Sequence, residues 1–110
     1  MAEAKVVVVD QTRIDYETSP AFQERLLQTI DAGPNCIVLD LSAVKYISSA
    51  GLRALVVASR KAKDANGKIA IAALQPLVLE VFKISRFDVL FSVYETVDAA
   101  LTALQDSLPT

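Results

Sequence analysis

Histidine is absent from this 110-residue chain, and that absence removes more chemistry than any other feature. Without an imidazole there is no Ser–His–Asp triad, no Cys–His nucleophile pair, no phosphohistidine carrier and no ordinary zinc site. Cysteine is nearly absent too. The lone Cys36 cannot close an internal disulfide, which fits a reducing cytoplasm. At the start of an apolar run, with no cation beside it to activate the thiol, it reads as a small core hydrophobe. Glycine occurs three times and tryptophan never. A phosphate-cradling loop needs several glycines and a Gly-Lys-Ser/Thr ending, so free nucleotide binding has no support. No apolar run approaches the ~20 residues of a membrane span. The amino terminus, with Glu3 ahead of a short apolar stretch and no small-residue cleavage site, does not read as a signal peptide.

What the chain does have is apolar substance: 53% hydrophobic against 22% charged residues, a balance that favours a folded domain over disorder. Residues 1–110 read as one domain, of a length that fits a single core. Net charge is −2, but Lys45, Arg53, Arg60, Lys61, Lys63 and Lys68 face only Asp64 within Lys45–Lys68. This basic block lacks the interleaved aromatics that stack bases, and the chain as a whole is acidic, so direct nucleic-acid binding is not expected. A solvated helix face is the simpler account.

The patterning alternates between extended and helical periods. Val6 to Arg13 reads as extended, with a turn at Asp10–Gln11 between two short strands. In "TSPAFQERLLQTIDAGP", Ser19 is positioned to cap a helix and Pro20 to occupy its first turn. Glu24 falls early in it, Phe22, Leu26, Leu27 and Ile30 share one face, and Gly33–Pro34 ends it. "CIVLDLS", Cys36 to Ser42, is apolar throughout, as in a strand covered on both faces, with Val44, Tyr46 and Ile47 extending or edging it. From Ser49 the period turns helical, with Leu52, Leu55, Val56, Ser59 and Ala62 on one side, until Asn66–Gly67 supply a left-handed exit. A buried strand "KIAIAAL" follows, then a short helix opening at Pro76 that presents Leu77, Val78, Val81 and Phe82. "FDVLFSVY" reads as a strand-like piece. The last helix is capped by Thr96 and carries Val97, Leu101, Leu104 and Leu108. The succession predicts an α/β fold: a mostly parallel sheet of four to five strands with about four helices and right-handed crossovers.

One junction stands out chemically. "KYISSAGLRAL", Lys45 to Leu55, sets two hydroxyls where a strand turns into a helix. A hydrolase elbow would want flanking glycines and a histidine base, and both are missing. Paired carboxylates offer little more, since Asp15 and Asp40 sit at strand ends where acids usually serve turns. Two readings of Ser49 stay open. It can simply cap the helix, as serine often does. It can also accept a phosphate, because unpaired N–H groups and the helix dipole stabilise added negative charge there, with Arg53 one turn on to offset part of it.

The stretch "CIVLDLSAVKYISSAGLRAL" resembles the core signature of the STAS domain, in particular the small stand-alone anti-sigma-factor antagonists of bacterial partner switching. "RIDYETSPAF", "NGKIAIAAL" and "VFKISRFDVLFSVYETVDAAL" extend the resemblance over nearly the whole chain. It implies a non-catalytic, cofactor-free, cytoplasmic STAS fold. Its expected partners are an anti-sigma factor that is also a serine kinase, bound in the unphosphorylated state, and a PP2C-type phosphatase that resets the switch. By the same resemblance, counting back from Gly51 puts Ser49 at the phosphoacceptor position and Ser48 where the family usually has Asp. It also implies a docking surface of Asp15, Ser48, Ser49, Gly51 and Arg53. Similar domains also serve as constitutive subunits of transporters or signalling scaffolds, in which Ser49 would be no more than a cap.

Overall fold

Two of the strands owe their burial to their sequence. β3 (Cys36–Asp40) and β5 (Lys68–Ala72) are apolar on consecutive residues, so they can be covered on both faces, and they occupy the middle of a four-stranded sheet. β1 (Ala4–Val8) and β6 (Ser92–Tyr94) flank them in the order β1-β3-β5-β6, every pair parallel. The computed structural model describes residues 4–33 and 36–107. Its element order is β1, β2 (Arg13–Ile14), α1 (Ser19–Ala32), β3, β4 (Tyr46–Ile47), α2 (Ser49–Asp64), β5, α3 (Pro76–Ile84), α4 (Phe87–Leu90), β6 and α5 (Val97–Ser107).

Side-chain alternation divides the core into two layers. Ile37, Leu39, Ile69 and Ile71 point toward α1, α2 and α3, where they meet Phe22, Leu26, Leu55 and Phe82. Val38, Ala70 and Ala72 point the other way, onto Ala100 and Leu104 of α5. The mostly parallel α/β architecture expected from the sequence is therefore present, and Cys36 is buried as a core residue.

Several local expectations give way. Ser19 does not cap α1: it is the first helical residue, and its Oγ lies 3.5 Å from the Tyr16 carbonyl oxygen. No acidic residue stands in the first turn, so Glu24 lies too deep in the helix to favour its positive end. Tyr46 and Ile47 do not extend β3. They form β4, which pairs in parallel with β2 as a separate two-stranded ribbon. Asn66 alone takes the left-handed conformation at the exit of α2, with φ of 62°. The strand-like reading of "FDVLFSVY" holds only for Ser92–Tyr94. Phe87–Leu90 coil into α4, a fifth helix, after Arg86 turns the chain with φ of 60°. Leu77 faces solvent rather than the core, whereas Val78 and Phe82 are buried. Gly33 ends α1 with φ of 69°, as its flexibility allows, while Pro34 and Leu108 lie outside the described residues.

Candidate functional site

The β2–β4 ribbon is the platform on which the serine junction is built. The Ser48 N–H donates to the carbonyl of Ile14 at 2.8 Å, and the chain then turns into α2. Ser48, not Ser49, is the N-cap: its backbone is extended (φ −91°, ψ 172°) and its Oγ accepts from the Gly51 N–H at 3.3 Å. Its carbonyl accepts from the Leu52 N–H at 2.9 Å. Ser49 is thus the first residue of α2, and it is exposed. Among the described residues no acceptor faces the N–H groups of Ser49 and Ala50, the two donors of the first turn left for an incoming anion.

Gly51 lies beneath this surface, buried. A Cβ there would stand 2.8 Å from Ile14 Cγ2, 2.8 Å from Ile47 Cγ1 and 3.1 Å from the Ile14 carbonyl oxygen. Its role is to let the start of α2 sit down on the ribbon, which fixes where Ser49 emerges. Gly51 is therefore a spacer under the predicted docking surface.

Asp15 follows Ile14 directly and organises the entry to α1. Its Oδ1 accepts from the N–H groups of Glu17 and Thr18, both at 3.1 Å, while the Thr18 hydroxyl accepts from the Asp15 N–H at 2.9 Å. This reciprocal pair has the hydrogen-bond pattern of a capping box, made in the turn that leads into α1. Oδ2 lies 3.6 Å from Arg13 Nε, and the Arg13 guanidinium stacks 4.4 Å from the centre of the Tyr46 ring. The Thr18 N–H bond above all, with help from the Thr18 hydroxyl, the Glu17 N–H and Arg13, holds the Asp15 carboxyl below its ordinary range against a smaller opposing effect of burial.

Between α1 and the start of α2 lies a cleft of about 390 Å³ lined by Tyr16, Ser19, Pro20, Gln23, Ala50 and Arg53. Arg53 is exposed and has no carboxylate partner among the described residues. Tyr16 stands out from this surface at 83% exposure. The structure therefore gathers Ser48, Ser49 and Arg53 at one helix start, beside the turn that Asp15 holds. Tyr16, Pro20 and Gln23 are cleft residues that the sequence pattern does not assign to the site. An exposed aromatic directly after a turn-forming Asp is the available signal for Tyr16.

Chemically, the junction offers one free hydroxyl, two open N–H groups and a neighbouring guanidinium. Among the described residues no group of three or more Cys, Asp or Glu side chains converges as a metal site would require. Asp15 and Asp40 both serve turns, Asp40 through a 3.0 Å bond from the Ser42 N–H.

The protein BtrV of Bordetella bronchiseptica, which carries the name of an anti-sigma factor antagonist, is 37% identical over 96 residues, 87% of this chain and 83% of that one. The anti-sigma-F factor antagonist RsfB of Mycobacterium tuberculosis is 28% identical over 84% of this chain and 75% of its own. The crystal structure of an anti-sigma factor antagonist from Mycobacterium paratuberculosis superposes with a TM-score of 0.81 at 33% identity, covering 92% of this chain and 85% of that one. The model of the STAS domain matches residues 3–100, so the chain belongs to the STAS domain family.

Proposed function

We propose that this protein is an anti-sigma-factor antagonist that works as a phosphoswitch at Ser49. Unphosphorylated, it docks an anti-sigma factor that is also its serine kinase, through Ser48, Ser49, Arg53 and the cleft beside Asp15, and so frees a sigma factor. The kinase transfers the γ-phosphoryl group of ATP to Ser49 Oγ, which loses its proton as ADP departs. A PP2C-type phosphatase then hydrolyses the ester with water, returning the hydroxyl and releasing inorganic phosphate.

The observation that carries this reading is the division of labour between the two serines. Ser48 already satisfies the cap, so the Ser49 hydroxyl is free for chemistry without cost to the helix. A phosphoryl group adds about −1.5 to −2 charges there. The open N–H groups, the dipole and Arg53 tolerate that charge within the domain. An apolar or acidic partner surface seated on the same spot does not, and leaves. The relatives favour an antagonist over a transporter or scaffold subunit, since both BtrV and RsfB carry the name of an anti-sigma factor antagonist.

Incubation with the anti-sigma-factor kinases of the source organism and ATP, followed by mass mapping, tests the assignment. Phosphate on Ser49 in the wild type and none in Ser49→Ala is the expected result, with Ser49→Asp folded but weakened in kinase binding. Phosphate on another residue, or equal binding by wild type and Ser49→Asp, rejects it.

A further inference from the structure

The basic block between Lys45 and Lys68 becomes, in the folded chain, a stripe along α2. Arg53, Val56, Arg60 and Lys63 follow Ser49 by four, seven, eleven and fourteen residues, a spacing that returns to one face of a helix. Burial agrees. Leu52, Ala54, Leu55, Ala58 and Ala62 turn inward, while Ser49, Arg53, Arg60 and Lys63 are exposed and Val56 is half-buried. From Ser49 to Lys63 the stripe runs about 21 Å, at ~1.5 Å per residue.

The arrangement does little for the helix itself. None of Arg53, Arg60 and Lys63 belongs to an ion pair among the described residues, whereas Lys61, round the side of α2, is held by Asp31 at 2.9 Å. Arg53 stands toward the positive end of the dipole, where a cation gains nothing. Arg60 and Lys63, three residues apart, repel one another, and Asp64, one turn after Arg60, makes no ion pair with it. Lys63 alone has a local account, at the negative end of the dipole. On α1, which packs against α2, Glu24 accepts from Gln28 and Asp31 pairs with Lys61, so neither neutralises the stripe.

We propose that the α2 stripe docks an acidic face of the anti-sigma factor, a proposal that rests on the reading of Ser49 above and gives that partner its chemistry. A row of unpaired cations complements a row of carboxylates, and arginine is among the residues that interfaces favour. Nucleic acid fits poorly, because the chain is acidic overall and the stripe holds no aromatic for bases to stack on. An anionic membrane would need the apolar face of the helix, and that face, Leu52, Leu55 and Ala58, is buried in the core. The stripe also accounts for the force of a single phosphate. At Ser49 it sets about −1.5 to −2 charges at the head of the row. There it repels the partner's carboxylates and draws Arg53 away from them.

Stopped-flow association with the anti-sigma-factor kinases of the source organism, between about 50 and 500 mM salt, is the test. Mass mapping of Ser49 runs beside it, and circular dichroism confirms that each variant is folded. Association of the wild type slows on the order of tenfold over that range, and Arg60→Glu/Lys63→Glu slows it comparably at low salt while flattening the salt dependence. Lys5→Glu/Lys83→Glu, an equal change of net charge on exposed residues outside α2, leaves the rate near wild type. A kinase that phosphorylates Ser49 but ignores both salt and the stripe variant overturns the acidic partner and leaves the switch standing. Stripe-dependent, salt-dependent association without phosphate on Ser49 supports the acidic partner and overturns the switch. No association with any of these kinases overturns both. An equal loss in the Lys5/Lys83 control, or single-stranded DNA or phosphatidylserine vesicles bound by the wild type and released by the stripe variant, also overturns the proposal.

Discussion

Ser48 caps α2 at the position where the resemblance to the STAS domain leads to an expectation of Asp. Asp and Ser are near-equivalent N-caps, because each offers an oxygen to the N–H three residues on. The geometric part of the expected Asp survives in the 3.3 Å bond to Gly51, and only the negative charge beside the proposed acceptor Ser49 is gone. Ser48→Ala should therefore cost about 1 kcal/mol in chemical denaturation. Ser48→Asp should keep the cap and gain about 0.3–1 kcal/mol from the dipole. A loss on Ser48→Asp equal to that of Ser48→Ala would show that the cap is not made. Asp15 gives a pH prediction. Its carboxyl is lowered below the ordinary 3.8 in the folded state, so the ionised form stabilises the fold. That contribution is fully present above 3.8 and is lost as pH falls through the lower folded value. Asn preserves the acceptor oxygen but not the charge. The stability gap between wild type and Asp15→Asn should thus be constant near neutrality and close in acid, and a gap that persists below that window would assign the effect to packing.

At the scale of elements, the seat of α2 on the β2–β4 ribbon is the contact that sets the site. Gly51→Ala pits two effects against each other. Alanine gains about 1 kcal/mol of helix propensity. The new methyl meets Ile14 Cγ2 and Ile47 Cγ1 at 2.8 Å, both on buried β-branched side chains with little room to swing, and overpacking of this kind costs about 1–3 kcal/mol. Overpacking outweighs propensity, so denaturation should show net destabilisation, with Ser49 displaced and binding to the proposed kinase partner weakened. A stabilised variant would mean that the ribbon yields. How much of this is legible in the sequence follows from which contacts are local. The periodicity of α1 and α2 and the apolar runs of β3 and β5 are properties of contiguous residues, and they can be read directly. β4 cannot: a two-residue strand exists only because β2, thirty-odd residues earlier, lies beside it. The start of α1 is deceptive because Ser19–Pro20 imitates a cap, whereas the Asp15–Thr18 pair performs the task one turn earlier. α4 is hidden because "FDVL" has the composition of a strand, and only the left-handed turn at Arg86 and the phenylalanine contacts make it a helix. At the serine junction the sequence offers two adjacent hydroxyls, and backbone conformation alone decides which one caps.

On the scale of the whole molecule, the sheet separates two layers with unequal tasks. α1 and α2 build the serine junction on one face, while α5 covers the other, where β5 contributes only Ala70 and Ala72 and the helix can approach closely. If the sheet insulates these layers, a fault introduced under α5 lowers stability without reaching Ser49. Ala70 is fully buried against the Ala100–Leu104 layer. Ala70→Leu adds three carbons where no space exists, a change expected to cost about 1–3 kcal/mol. For a domain of this size each kcal/mol lowers Tm by about 4–8 °C. Calorimetry should register that loss, while affinity for the proposed anti-sigma-factor kinase, measured well below the lowered Tm, stays within about twofold of wild type, because the residues under the serine junction belong to the other core layer. Affinity that falls in step with stability would mean that the two layers move as one body, and that the position of Ser49 depends on the packing of α5 as much as on the ribbon beneath it.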